Sequence, residues 1–330
     1  MVKDDGTIDQ NPAMNLIREA KLTVSSPYFE RIHRIHAFMI FMPPTLGTAL
    51  ACYLAARNGV SSVALWLFAV FYLASYIGIT VGYHRHFTHK SFKAGPVVRF
   101  LLGVCGSMAC EGPVNYWVSN HRRHHMFTDK DGDIHSPYVH AGKRLCFWRG
   151  LWHSHIAWTF THEVSNTAVA APDLIKDPLA RKVNATYYVW VTASFLLPTT
   201  IGGFASGTWY GALEGFLWGG AVRLFLTYHI IHTITSLAHI FGYQDFDNGD
   251  QSRNNIWLAL PTMGESWHNN HHSFPGAANL GLTWWQVDLG AYFIDLLKFL
   301  GLAWDVQTVT PDLIRAKVGV LTIKSGGGAQ

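Results

Sequence analysis

Long uncharged apolar runs dominate the pattern of this chain. Residues 37–56 and 61–83 contain no charged side chain, and each is long enough to cross a hydrocarbon core of about 30 Å as a helix. A further uncharged stretch, 183–213, exceeds one crossing, and 209–231 follows it with only Glu214 and Arg223 as interruptions. The pattern predicts four spans, at 37–56, 61–83, 184–204 and 209–231, the last two joined near 202–208. Residues 97–112 are apolar too, but the run is short and holds Arg99, so it reads as a re-entrant or interfacial segment. Two segments read as helices lying in the membrane interface. One is 146–160, rich in Trp and Phe; the other is 284–304, where Leu289, Phe293, Leu296 and Leu300 form an apolar stripe apart from Asp288, Asp295 and Lys298.

Composition points the same way. Of 330 residues, 49% are hydrophobic and only 14% charged, which is unusual for a soluble enzyme. Four spans put residues 1–34, the stretch from His84 to Lys182, and everything after His239 on one side of the bilayer. That side carries Arg31, Arg34, Arg122, Arg123, Lys143, Arg144, Arg149, Arg181 and Lys182, whereas the opposite loops hold little beyond Arg57, so it is expected to be cytosolic. The expected fold is an all-α membrane protein, with four transmembrane helices under a cytosolic helical cap across 35–304. Residues 305–330 are expected to be a tail, disordered from Ser325 onward. No secretory signal is visible, since Lys3, Asp4 and Asp5 lead into polar residues. Cys52, Cys105, Cys110 and Cys146 show no C-x-x-C spacing, and a net charge of +4 implies no nucleic-acid partner.

Histidines change the picture. Nine of the 19 fall in four places: His84 and His89 in H-R-H-F-T-H, His121, His124 and His125 in H-R-R-H-H, His239 alone, and His268, His271 and His272 in H-N-N-H-H. Chance would give about 0.06 copies of H-x-x-H-H in a chain of this composition, and two are present. On a helix, positions i, i+3 and i+4 share a face, so each H-x-x-H-H is expected to converge its rings into one half-site of a two-metal centre. Neutral imidazoles with few carboxylate or thiolate ligands suit iron, copper or zinc, and iron is the expected metal. His86, two residues from His84, points away on a helix and is expected to stay outside the set.

These elements resemble the integral-membrane fatty acyl desaturases, specifically the stearoyl-CoA desaturase-like branch. The resemblance runs from about Gly82 to Trp304 through G-Y-H-R-H-F-T-H, N-H-R-R-H-H-x-F-T-D, S-H-I-A-W at 154–158, T-S-L-A-H at 235–239, Q-S-R-N-N at 251–255 and G-E-S-W-H-N-N-H-H-S-F-P. It implies two irons held by the nine histidines, and dioxygen-dependent insertion of a cis double bond into a saturated acyl chain, by analogy at the ninth carbon. It also implies a fatty acyl substrate on coenzyme A, a carrier protein or a lipid, and electrons from a separate ferredoxin or cytochrome b-type donor. Thr235 stands where the family has an Asn that reaches one metal through a water. His162 and Glu163 stand where animal acyl-CoA members carry a basic pair.

Around the histidines, Glu265 and Asp133 are candidates to hold a ligand's second ring nitrogen. Trp117, Trp158 and Trp267 are candidates for the wall of an acyl tunnel, with Asn269 a further candidate substrate contact. Arg122, Arg123 and Arg253 are candidates to receive an anionic head group or an acidic electron donor. Alternatives remain open at this point: a hydroxylase or ketolase of the same histidine-rich superfamily, and a haem binder using His229, His232 and His239. A zinc hydrolase is weaker, because no H-E-x-x-H occurs.

Overall fold

The computed structural model describes residues 22–24, 26–161 and 164–326; His162 and Glu163 lie outside the described residues. The architecture is helical, with three two-stranded ribbons among the described residues, each strand two residues long; two join distant loops and the third is a tight hairpin at 139–144. Three helices are long and apolar enough to cross a membrane: α1 (Pro27–Asn58), α2 (Ser62–Ile77) with its continuation to Thr88, and α6 (Tyr187–Ser206), numbering the principal helices in chain order. The segment read as a fourth span is an unbroken succession of α7 (Trp209–Glu214), a π-helical stretch (Gly215–Val222) and α8 (Arg223–Thr235).

The two charged residues in that succession are both buried. Arg223 donates to the carbonyls of Gly219, Met108 and Ser194 and to Ser75 Oγ, tying three neighbouring elements together. Glu214 accepts from the backbone N–H of Ser61, whose own hydroxyl caps α2. A charge is tolerated in an apolar bundle when every polar edge finds a partner. Outside the bundle, Trp66, Phe204 and Trp209 are 72%, 89% and 92% exposed, an apolar surface that water would not favour.

Helix α2 passes directly into a π-helix, Gly78–Thr88, all of whose residues are buried. One side of it packs Ile79, Tyr83 and Phe87 with Val114 and Val118; the other packs Val81 with Phe92, Ile294 and Leu297. The apolar run 97–112 is α3 (Pro96–Met108), a short helix pressed against this π-segment. Contact is so close that a Cβ on Gly78 would lie 2.1 Å from the Gly106 nitrogen, and one on Gly106 would lie 2.3 Å from the Tyr83 ring. Only glycine permits that approach.

Four departures from the sequence expectations have local causes. The second helix does not stop at 83 but carries His84 inside it, because the core continues past the uncharged run. The 146–160 segment divides into α5 (Phe147–His155) and a 3₁₀ turn (Ala157–Phe160), with Phe147, Trp148 and Trp152 exposed. Within 284–304, α10 (Leu289–Phe299) buries Gly290, Ala291, Ile294 and Leu297, leaving Leu296 and Leu300 of the expected stripe outside. Its N-cap Asp288, fixed in the core, sets that rotation. The expected tail contains α11 (Pro311–Gly326), started by Pro311 and by Thr310, whose hydroxyl accepts from Leu313 N.

Candidate metal centre

The nine histidines meet, in two groups. His84, His89, His121, His125 and His271 offer one ring nitrogen each within 4.8 Å of one another, and His124, His239, His268 and His272 do the same. The groups abut, with the rings of His125 and His272 4.6 Å apart. Each H-x-x-H-H therefore serves both groups rather than building one half-site. On α4 (Val114–Phe127), His121 and His125 turn to the first group and His124 to the second. On α9 (His268–Ser273), His268 and His272 enter the second and His271 the first. The reason is angular: on a helix i+4 lies about 40° from i, whereas i+3 lies about 60° the other way. Two such helices facing each other exchange their middle ligands.

The ring nitrogens converge to within hydrogen-bond distance of one another. Nε2 atoms of His84 and His271 lie 3.1 Å apart, His121 and His125 3.0 Å, His125 and His271 2.9 Å, His239 and His268 3.0 Å, and His268 and His272 3.1 Å. In four of these rings the other nitrogen, Nδ1, faces a carboxylate: His84 to Glu265 at 2.6 Å, His124 to Asp133 at 3.1 Å, His239 to Asp129 at 3.0 Å and His272 to Asp250 at 3.1 Å. An Nδ1–H donating to a carboxylate leaves Nε2 a bare lone pair. Converging lone pairs repel unless a cation sits among them, and separations near 3 Å match adjacent ligands on a metal at about 2.1 Å. The donor set thus fits metal ions.

Electrostatics agree. Burial, reinforced by neighbouring rings, holds His89, His121, His125, His268, His271 and His272 well below the usual histidine range and brings His124 down to about 3. They are neutral donors at physiological pH. For His239 burial pulls the same way, but the Asp129 charge outweighs it and the net shift is upward. Burial alone would raise Glu265, yet His84 and Arg85 beside it hold it below the ordinary value.

Glu265 reaches His84 from a turn rather than from a helical face shared with His268. Met263 and Gly264, both at positive φ, fold the chain back before α9 begins. Asp133 lies 3.1 Å from His124 Nδ1, and also accepts from the backbone of Asp129 and His135. Asp129 and Asp250 went unrecognised in the sequence. Their only trace is position, just after the second box and just before Q-S-R-N-N. Asn254 within that string supports α9, its Oδ1 accepting from Asn269 N and Asn270 N.

Other candidates divide. Trp117 stacks on His121 with ring centroids 5.1 Å apart, and Trp117 and Trp158 line a buried passage toward the histidines. Trp267 is fully buried in the core, donating to Val287 O, and Asn269 is fully buried, clasping the backbone of Asp245 and Phe246. Arg122 is engaged by Asp173 and by the carbonyls of Phe87, Thr88 and Ala170, and Arg253 donates to Gly242 O. Arg123 donates to Gly132 O. Thr235 donates to Ser154 O and lines the passage. His86 stays outside both groups, accepting from Arg99 Nε. His229 contacts His155 rather than His239, which removes the geometry a haem would use.

The passage has three sections that share walls. An outer hollow and a middle section both use His33, His36 and Tyr116; the middle and the innermost sections share Trp117, His121, His135, Ile231 and Thr235. The innermost section reaches His84, His124 and His268. On another side an open depression of about 790 Å³ is bordered by His89, His125 and His272.

Comparison with known proteins supplies the class. The fatty acid desaturase family model matches residues 61–291. The hex-5-enoyl-[acyl-carrier protein] acetylenase of Moorena producens (strain JHB) is 44% identical over 297 residues, covering 89% of this chain and 92% of that protein. The sn-1 stearoyl-lipid 9-desaturase of Anabaena variabilis is 33% identical, covering 86% and 93%. An acyl-CoA 5-desaturase of Anemone leveillei is 37% identical, covering 77% and 75%.

Proposed function

The chain belongs to the fatty acid desaturase family and is an oxidoreductase of fatty acyl chains, and we propose that it removes two neighbouring hydrogens from an acyl chain with dioxygen, using two irons held by the nine histidines. The balance is one dioxygen, two external electrons and two protons consumed for one new carbon–carbon double bond and two waters. Bound iron would supply the dioxygen activation that no side chain can. Convergence of nine imidazoles in two abutting groups carries this reading.

The protein's own residues do the rest. His84, His89, His121, His125 and His271 would hold one ion and His124, His239, His268 and His272 the other. Glu265, Asp133, Asp129 and Asp250 orient their rings. Thr235 lies where a water could complete the four-histidine side. The passage admits the acyl chain and excludes bulk water, with Trp117 against His121 limiting its course. The open depression beside His89, His125 and His272 suits a separate electron donor, a ferredoxin or a cytochrome b-type protein. Four spans and a cytosolic cap follow if 209–235 crosses the bilayer as the other three long helices do.

The acyl carrier can be coenzyme A, a carrier protein or a lipid; the acetylenase likeness favours a carrier-protein thioester, and the plant and cyanobacterial likenesses a Δ5 or Δ9 position. The deciding experiment is the lipid and thioester profile of cells expressing the chain or its His271→Ala variant under varied dioxygen. New unsaturated acyl chains, dependent on oxygen and absent in the variant, are expected. Hydroxylated product in their place would move the assignment to the hydroxylases of the same superfamily.

A further inference from the structure

The middle section of the passage is apolar over much of its wall, with Ala37, Ile40, Ile134 and Ile231, as an alkyl chain requires. Polar residues of the same wall break that character. Glu111 Oε1, Trp158 Nε1 and His36 Nε2, together with Asn120 Oδ1 and the Nδ1 atoms of His135 and His232, are buried polar atoms with no hydrogen-bond partner among the described residues. Buried polar atoms are nearly always satisfied, so orphans gathered around one passage ask for a partner.

Their chemistry defines that partner. An indole N–H can only donate. Glu111 Oε2 accepts from Trp117 Nε1 at 3.1 Å, which makes Oε2 the carbonyl-type oxygen and leaves Oε1 to carry the proton. Burial holds this carboxyl protonated up to about pH 8, with the Trp117 bond only partly opposing. The wall therefore presents two donors, an O–H and an N–H, beside the Asn120 amide oxygen and imidazole nitrogens able to play either role. A methylene chain offers them nothing; a carbonyl oxygen accepts two hydrogen bonds.

Resting on the desaturase reading, we infer that Glu111 and Trp158 bind the carbonyl of the acyl substrate inside the passage, which makes Glu111 a specificity-determining residue and places the reacting carbons only a few bonds from that carbonyl. Beyond this point the passage has only its innermost section, walled by Tyr76, Ile79, Ile231 and Ile234, before the histidines. The favoured substrate is then a short acyl chain, or a longer one attacked near its carboxyl end. A thioester carbonyl and a lipid ester carbonyl share this chemistry.

Binding separates these possibilities. Equilibrium dialysis of the full-length protein, without turnover, compares hexanoyl-pantetheine, the thioether in which its carbonyl is a methylene, and a dihexanoyl glycerolipid. The thioether should bind at least about tenfold more weakly than the thioester, because a site built around donors rejects a ligand that lacks the acceptor. Glu111→Leu should abolish that discrimination, Glu111→Gln, which keeps an N–H donor, should retain most of it, and Trp158→Phe should reduce it should the leucine variant not fold. Preference for the thioester or the lipid ester identifies the source. Equal binding of thioester and thioether by the parent protein, or unchanged discrimination in Glu111→Leu and Trp158→Phe, overturns the carbonyl site. With the metal-loaded protein, unsaturation should appear near the carboxyl end; product formed only at the ninth carbon or beyond overturns the placement. Carbonyl discrimination with no unsaturated product from any acyl ligand would instead remove the desaturase reading and leave the site standing.

Discussion

Arg85 Nη2 lies 2.8 Å from Asp288 Oδ1, joining positions 203 residues apart in a fully buried ion pair. The same guanidinium donates to Glu265 Oε1, and the other Glu265 oxygen holds His84 Nδ1 at 2.6 Å. Asp288 also accepts from Leu280 N and caps α10 through Ala291 N. A run of charge from the N-cap of α10 thus ends on a histidine of the first box.

Asp288→Ala should therefore destabilise the fold by about 3–5 kcal/mol, since it leaves a buried guanidinium without one of its two carboxylates. Thermal unfolding in detergent checks this. A melting temperature equal to that of the parent would refute the structural role of the pair.

Carboxylates behind the rings should act on one metal each. Glu265→Gln should weaken the ion in the five-histidine group, and Asp250→Asn the ion in the four-histidine group, each by about 10–100-fold in affinity. Chelator competition followed by elemental analysis reads this as loss of one ion per chain before the other. Simultaneous loss of both in either variant would contradict two separately supported groups.

Ile231 borders both the middle and the innermost sections of the passage. Ile231→Trp should abolish acyl turnover while metal content and melting temperature stay close to those of the parent. Unimpaired turnover would mean that the substrate reaches the histidines by another way.

Glu111 should leave a signature in stability against pH. Its folded carboxyl keeps its proton up to about 8, against 4.5 for the ordinary group. Between those values the folded state holds a proton the unfolded chain has released, so stability falls as pH rises through the window. Glu111→Gln should remove that fall, and the difference in melting temperature between parent and variant should grow from pH 5 to pH 8. Parallel curves would show that Glu111 ionises normally.

Much of this was legible in the residues. Uncharged runs fix helices because a long apolar segment has no other way to satisfy its backbone in lipid. Nine histidines in three dense strings and one singlet stood out as candidate ligands before any geometry, since helical spacing is local. Asp133 and Glu265 were readable as partners because they stand near the boxes.

What the linear order could not reveal is how the strings divide. That His124 and His271 cross to opposite groups depends on two short helices facing each other, and the helix angle alone is silent on which neighbour will be there. The Asp129–His239, Asp250–His272 and Arg85–Asp288 pairs are long-range contacts, made only when the chain folds back on itself. The orphan oxygen of Glu111 belongs to this class too: an isolated acid in sequence becomes a protonated donor only once packing has taken its water away.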